Sequence, residues 1–585
     1  MDATSNRNMP NPLLLPEIVA SVIDNVHLVP DILNCACVNR MWSVAALKKL
    51  YRGSLNDMQC RTPDIGSLNS LFVASRERFA RNMSFVKHLL LSTDAIALDQ
   101  IGRTKTACYE KCRALRHRKY AKLLLRPQGS GLTSLVIPFE IKGQDWSIIS
   151  DLLLTPTIEY LAIDRSYCGL VMDSPGYLQE PIIPSLDKFT NLKALTVYKQ
   201  DGGSEIYELC QLLRCCDLHL FHLEERAHSR AGRMEQTDLA EVLGCLRRHQ
   251  NLEALALFVR HFSSPLGSTK EEGQENPWPR LKALYLAMRP QDWLQLLPKF
   301  NDLQILRLQD VGSGFPTINQ SVLHRIAKCR NLRVVDLDLR EVDDVEALLD
   351  IANYSPLLQK LRVKDERLSR KHYRREDLFF DLLRDLPQLE FLAFDAKFEM
   401  DGAKLRDLAQ HCPRLVVLDL RYTELHLSLA EMINLDPLFQ LETMTFAKIY
   451  FKDPPRMQTD AIQSIATEWR RIFPRLRGVR CLTDPPYGMD DDWSDWGEES
   501  ETNNGSASSD DDSSISDFEA NFDRQYPLRR KLWRVIGYEK DPDIHHKIAY
   551  TWQTNLEIKT IGWPVVSLAA FSDPDTHSTT AKSGQ

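Results

Sequence analysis

One short phrase constrains this chain more than any other feature. It has the form φxxφxφ, where φ is apolar, and about 13 copies run along the chain. They begin at Leu132, Ile158, Leu192, Leu218, Leu252, Leu281, Leu303, Leu332, Leu358, Leu389, Leu415, Leu441 and Leu476. An earlier copy at Val86 opens the series. The spacing averages roughly 29 residues, inside the range that marks stacked repeats. Positions four and six alternate around position five, so a short strand turns two apolar side chains inward. Between phrases lie runs with helical periodicity, such as Ser321–Cys329, Asp343–Asn353 and Gly402–Cys412. One strand and one helix cannot bury their own apolar faces; stacked neighbours can. The competing reading is a doubly wound sheet, but its strands are near-continuous apolar runs rather than a fixed phrase. The expected fold is therefore α/β: a solenoid with parallel strands inside and helices outside.

The remaining composition narrows the function. Of 585 residues 43% are hydrophobic, an ordinary value for a folded chain. No apolar run approaches the ~18 residues of a membrane span, and the first residues lack a secretory layout. A soluble protein of the cytoplasm or nucleus, with no membrane partner, is expected. The 13 cysteines are odd in number and contain no CxxC pair, so they read as buried thiols. No metal and no cofactor are expected.

The formal charge of -7 conceals an asymmetry. Residues 484–523 carry 14 carboxylates and no Lys or Arg, which leaves about +7 on everything else. That stretch is Ser- and Asn-rich with few aliphatic residues, too poor in apolar surface to offset the entropy of ordering. Within it Ser508, Ser509 and Ser514 each precede an acid by three residues, the layout of acidophilic kinase sites. Beyond it Trp533, Trp552 and Trp563 mark a return to folded composition, with strands expected in Leu532–Tyr538, Lys547–Trp552 and Leu556–Trp563. The expected organisation is a disordered start (1–11), a three-helix unit (12–55) and a repeat array with a leading helical segment (56–483). An acidic linker (484–523), an ordered segment that caps the repeats (524–571) and a disordered tail (572–585) follow.

The phrase resembles the leucine-rich repeats, and more closely their cysteine-containing subclass, which places Cys three residues before the first Leu. Cys412-Pro-Arg-Leu415 fits fully, and Cys329-Arg-Asn-Leu332 and Cys215-Cys-Asp-Leu218 fit in part. Val311, Arg340 and Thr423 stand where the family has Asn or Cys after the phrase, and the intervals are uneven. An irregular array is expected.

Residues 13–52 hold three short apolar stripes of helical spacing separated by turn-formers. Leu15, Pro16, Glu17 and Ile18 open the string; Asp31, Ile32 and Leu33 follow, then Val38, Arg40 and Trp42. This order is similar to the F-box. The resemblance implies docking onto a Skp-type adaptor, and through it a cullin, by a face including Leu15, Pro16, Ile18, Ile32, Leu33, Val38 and Trp42. An F-box ahead of leucine-rich repeats looks like the substrate receptor of a Skp–cullin–F-box ubiquitin ligase, a non-catalytic subunit holding an unknown protein substrate. The alternative is a leucine-rich-repeat scaffold outside any ligase, with the three helices capping the first repeat.

Positions three, five and seven of the phrase are expected on the exposed strand face. They are apolar in mid-array, including Ala254, Ala256, Phe258, Ala283, Tyr285 and Ala287. They then become charged: Arg307, Asp336, Asp338, Lys360, Arg362, Lys364, Asp395, Asp419 and Arg421. A protein substrate straddling that transition is the expectation. No nucleotide-binding loop or nucleophile motif occurs, so no catalytic residue is expected. The basic runs Arg113–Arg126 and Arg367–Arg375 read as solvated faces rather than nucleic-acid contacts.

Overall fold

The computed structural model describes residues 15–26, 29–53, 75–90, 131–137, 154–164, 189–199, 204–225, 236–258, 276–287, 297–309, 320–339, 347–365, 376–395, 397–452, 459–482 and 526–538. They divide between two compact units, residues 1–281 with 554–585, and residues 282–553.

The first unit opens with α1 (Pro16–Asp24), α2 (Val29–Ala36) and α3 (Arg40–Arg52). Pro16 begins α1 with its φ already helical, and Glu17 in the first turn faces the positive end of the helix dipole. The Asn39 side chain caps α3, accepting from the N–H groups of Met41 (2.9 Å) and Trp42 (3.0 Å). Val19, Ile23, Ile32 and Ala46 form the buried centre, with Trp42 and Leu50 packed against it. Lys49 Nζ donates to the carbonyls of Ile23 (2.9 Å), Asp24 (2.9 Å) and Val26 (2.5 Å). One cation thus closes the end of α1.

After α4 (Arg76–Met83) come β1 (His88–Leu90), β2 (Ser134–Ile137), β3 (Tyr160–Asp164), β4 (Ala194–Lys199), β5 (Leu220–Glu225) and β6 (Ala254–Phe258). Helices α5 (Ser204–Cys215) and α6 (Gln236–Leu246) lie between the later strands. Each strand pairs with the next in parallel, and position four of each phrase stays on one rung: Leu135, Leu161, Leu195, Phe221, Leu255.

The second unit continues the pattern. Its strands are β7 (Ala283–Ala287), β8 (Ile305–Gln309), β9 (Val334–Leu339), β10 (Lys360–Asp365), β11 (Phe391–Phe394), β12 (Glu399–Met400), β13 (Val417–Leu427), β14 (Thr443–Phe451) and β15 (Gly478–Cys481). Its helices are α7 (Gln320–Ala327), α8 (Ala347–Tyr354), α9 (Glu376–Arg384), α10 (Gly402–His411), α11 (Leu429–Ile433), α12 (Thr459–Ile472) and α13 (Tyr526–Ile536). The rung Leu284, Leu306, Val335, Leu361, Leu392, Leu418, Met444, Val479 is parallel throughout. The fold is an α/β leucine-rich-repeat solenoid.

Two backbone devices recur and explain the phrase. First, the N–H of its first Leu closes a turn onto the carbonyl three residues earlier, as in Leu332 to Cys329 (3.4 Å), Leu358 to Ser355 (3.0 Å) and Leu415 to Cys412 (3.1 Å). The residue at these three corners is a buried thiol or hydroxyl, while buried aromatics, Trp278, Phe300 and Phe473, fill the same corner in other repeats. Cys412 Sγ donates to the carbonyls of Leu383 and Leu386 (both 3.8 Å), and burial pushes its pKa up to about 12. Cys215 departs from the family pattern: it is exposed. In the next repeat His249 stands at the corner, its Nδ1 accepting from the N–H of Leu218 (3.1 Å). Second, the N–H groups of positions two and three converge on one carbonyl of the preceding repeat. Gln359 and Lys360 both donate to Arg333 (2.8 and 2.9 Å), and Glu390 and Phe391 both donate to Gln359 (2.8 and 3.0 Å). Both lone pairs are used before the strand begins, which fixes its register.

β13 and β14 are irregular, with 11 and 9 residues against 4–6 in the other phrase strands from β2 onward. A register shift between Leu420 and Glu424 lets the pair resume as Glu424/Lys448 through Leu427/Phe451. β15 reaches only to Phe446, and α13 takes up the space beyond. There the fully buried Arg529 donates to the Ile449 carbonyl at 2.9 Å. Trp533 packs on Trp469 (5.1 Å between rings), Trp469 Nε1 donates to the Tyr538 hydroxyl (2.5 Å), and Arg470 donates to the Val535 carbonyl (2.7 Å). This corrects the strand expected at Leu532–Tyr538. Leu528, Leu532 and Ile536 recur at helical spacing behind Pro527, and that period prevails over β propensity. The strands expected at Lys547–Trp552 and Leu556–Trp563 lie outside the described residues.

Candidate functional site

On the three-helix unit, burying Val19, Ile23, Ile32 and Ala46 leaves a second set of apolar side chains outward. Leu15, Ile18 and Val22 on and before α1, Leu33 on α2, Val38 before α3 and Val44 on α3 are between 36% and 60% exposed. Pro16 is exposed beside them. Ile32 is the correction: it is 0% exposed, because it faces α1 and α3 and holds the helices together. Trp42 is half-buried against the same centre. Val22 and Val44 escaped the sequence reading, although Leu15, Ile18 and Val22 fall at i, i+3 and i+7, one helical stripe. Single exposed apolar residues are ordinary; six on a unit this small are not.

The strand face of the second unit differs from the expectation. Tyr285, Ala283, Ala287 and Lys360 are buried, as are Ala254 and Ala256 in the first unit. Alanine side chains are too short to rise above their neighbours. The ring of Tyr285 lies under the Arg307 guanidinium (5.0 Å), and Lys360 Nζ lies over the Phe391 ring (4.9 Å). Phe258 is half-buried, edge-on to His222 (5.3 Å).

The charged positions answer one another across adjacent strands. At position five Asp336 stands between Arg307 and Arg362, 3.5 Å from each. At position seven Lys364 meets Asp338 at 3.6 Å. Further along, Arg421 bridges Asp395 (3.6 Å) and Asp419 (2.5 Å). Burial alone disfavours the Asp336 carboxylate, yet Arg362, Lys360, Arg307 and Lys364 together hold its pKa below the usual range. Burial pushes Asp395 up to about 6, reinforced by Asp419 and opposed by Arg421. Much of the charge is therefore consumed in a ladder of alternating sign. Asp338, Arg362, Lys364, Asp419 and Arg421 remain half-exposed.

Asp395 yields a test with a definite sign. Its folded pKa lies above the unfolded value, so between pH 3.8 and 6 the folded state binds the extra proton. Stability relative to Asp395→Asn should then fall as pH rises through that window and level off above it. Urea midpoints of both proteins across that range measure it. A difference that grows with pH would reverse the assignment.

Past the ladder, the extensions of β13 and β14 carry Glu424, His426, Lys448 and Tyr450 half-exposed, with Leu425, Leu427, Ile449 and Phe451 buried on the other face. His426 stacks on Tyr450 (4.7 Å), and Tyr422 is exposed beside them. These residues were missed, although Leu425/Leu427 and Ile449/Phe451 continue the strand alternation past the phrase. Among the described residues no group of His, Cys, Asp or Glu is arranged to hold a metal ion, and no helix is long and apolar enough to cross a membrane. Ser508, Ser509, Ser514 and the runs Arg113–Arg126 and Arg367–Arg375 lie outside the described residues.

No family model matches the chain, and no curated protein matches it. Among solved structures, an internalin from Listeria monocytogenes is similar at 13% identity, over 56% of this chain and 80% of that one, with a TM-score of 0.28. A chain of the yeast Rad7 and Elc1 complex is similar at 13% identity, over 71% of this chain and 91% of that one, with a TM-score of 0.33. Scores this low carry no argument, and the fold rests on the strand ladder itself.

Proposed function

We propose that the chain is the substrate-recognition subunit of a Skp–cullin–F-box type ubiquitin ligase. The observation that supports this most is the outward apolar set of the three-helix unit, in the residue order that resembles an F-box. Leu15, Pro16, Ile18, Val22, Leu33, Val38 and Val44 would meet the Skp-type adaptor, with Trp42 at the margin and Ile32 behind them. The chain performs no chemistry in this reading; the adaptor and cullin bring the transfer machinery to a protein held by the repeats. That protein would be met by Asp338, Arg362, Lys364, Asp419 and Arg421 and by the Tyr422, His426 and Tyr450 shelf, because these side chains are accessible in the second unit. Arg307, Asp336, Lys360 and Asp395 would support them from below.

Co-purification with a Skp-type adaptor tests the first half. Leu15→Ala with Leu33→Ala should weaken that complex by about 2–4 kcal/mol, the range for removing anchor side chains from an interface. Both residues are partly solvated in the free chain, so its melting temperature should stay close to wild type. No complex with the wild-type chain would leave a leucine-rich-repeat scaffold as the better reading.

A further inference from the structure

The two segments that end the second unit are strongly basic. Residues 467–481 and 524–536 together hold ten Lys and Arg against one acid, Glu468. The first supplies the C-terminal end of α12 and all of β15; the second supplies α13, which packs on α12 through Trp533 and Trp469. Some of these cations have structural work. Arg529 is buried on the Ile449 carbonyl, and Arg471 donates to the carbonyls of Met432 (2.6 Å) and Leu435 (3.0 Å). Arg470 is exposed but committed to the Val535 and Ile536 carbonyls (2.7 and 3.2 Å). Others are left at the surface: Arg475, Arg477 and Arg534 are exposed and Lys531 is half-exposed. Among the described residues Arg475 reaches the neutral Gln440 (2.7 Å), and Arg477 stands 3.9 Å from Glu442. A concentration of one sign on a terminal repeat needs a counter-charge or repels itself.

The chain between these two basic segments is the acidic stretch 484–523, with its 14 carboxylates and no Lys or Arg. Both its ends are fixed to the terminal repeat, one by β15 ending at Cys481 and the other by α13 beginning at Tyr526. A segment tethered at both ends beside a surface has a high effective concentration there, on the order of millimolar for a short flexible tether. We propose that the exposed cations Arg475, Arg477, Lys531 and Arg534 form an anion-binding surface whose occupant is the chain's own residues 484–523. This inference does not depend on the ligase reading.

The test uses the full chain, and a variant in which residues 484–523 are replaced by a Gly/Ser linker of equal length. The probe is a synthetic peptide of residues 484–523. The linker variant should bind the peptide, and the wild type should bind it at least about tenfold more weakly because its own copy competes. Raising salt from about 50 to about 200 mM should weaken the interaction several-fold. Arg475→Glu with Arg477→Glu and Arg534→Glu, placed in the linker variant, should abolish peptide binding with an unchanged melting temperature. Equal binding by wild type and linker variant, or none by either, would overturn the proposal. So would a linker variant that retains heparin but not the peptide, since the surface would then serve an external polyanion.

Discussion

Trp469→Ala is expected to destabilise the second unit by about 3–5 kcal/mol, the cost of emptying a fully buried tryptophan site. The ring of Trp469 touches Phe473 (4.8 Å), Trp533 (5.1 Å) and Phe451 (6.2 Å), and its N–H donates to Tyr538. Alanine removes all four contacts at once, and two of them hold α13 and the residues after it, together with the Arg529 and Arg470 hydrogen bonds. Urea unfolding followed by far-UV circular dichroism measures the loss, and limited proteolysis reports whether the segment around α13 detaches first. Trp469→Phe should fall between the two, keeping ring packing but leaving the Tyr538 hydroxyl without its donor. A loss under about 1 kcal/mol for the alanine variant would mean that the terminal repeat is stable without its C-terminal helix.

Asp336→Ala should cost a similar amount, about 3–5 kcal/mol, for a different reason. Asp336 is the shared carboxylate of Arg307 and Arg362, and its own side chain is 9% exposed. Removing it leaves two guanidiniums 3.5 Å from a vacated site, with Arg307 only 13% exposed and poorly placed to recruit water. Asp336→Asn keeps the volume and loses the charge, so it separates the electrostatic part from the packing part. Double replacement of Asp336 and Arg307 by leucine should recover much of the loss, because an apolar pair of similar volume often replaces a buried ion pair at little cost. If Asp336→Ala proved neutral, the ladder would be solvated and its residues free to serve a ligand.

The strand positions were readable because one phrase carries three separate demands. Its first Leu, such as Leu332 or Leu415, is buried under a turn, and positions four and six are buried in the rung. No other spacing meets all three. What escaped was whatever depends on long-range partners. Lys49 reads as a solvated helix cation, yet its Nζ closes a helix that ended more than twenty residues earlier. Arg529 reads as part of a surface basic run, yet it is the most deeply placed charge of the terminal repeat. Lys360 reads as an exposed ligand contact, yet it is buried, with its Nζ over the ring of Phe391 at the same position of the next strand. On the three-helix unit the composition of the candidate face was legible, but the side on which Ile32 falls was not. It follows from how α2 leans on α1 and α3, and helical period alone does not give that.

The paired N–H groups on a single carbonyl at the head of strand after strand have a consequence for how such a chain tolerates length changes. The carbonyls of Arg333, Gln359, Glu390, Val416 and Glu442 all receive the next repeat in the same way. Excising or duplicating one whole repeat therefore presents the same acceptor to the same pair of donors, and the join is locally indistinguishable from any other. An insertion of one residue between that carbonyl and the strand is the opposite case. It moves every following side chain of the strand to the other face, turning an inward Leu outward and a charge into the core. Extra residues placed after the strand, where the spacing between phrases already varies from 22 to 35, meet no such barrier. Growth of the array in whole units and freedom of its connecting segments thus arise from one hydrogen-bonded junction.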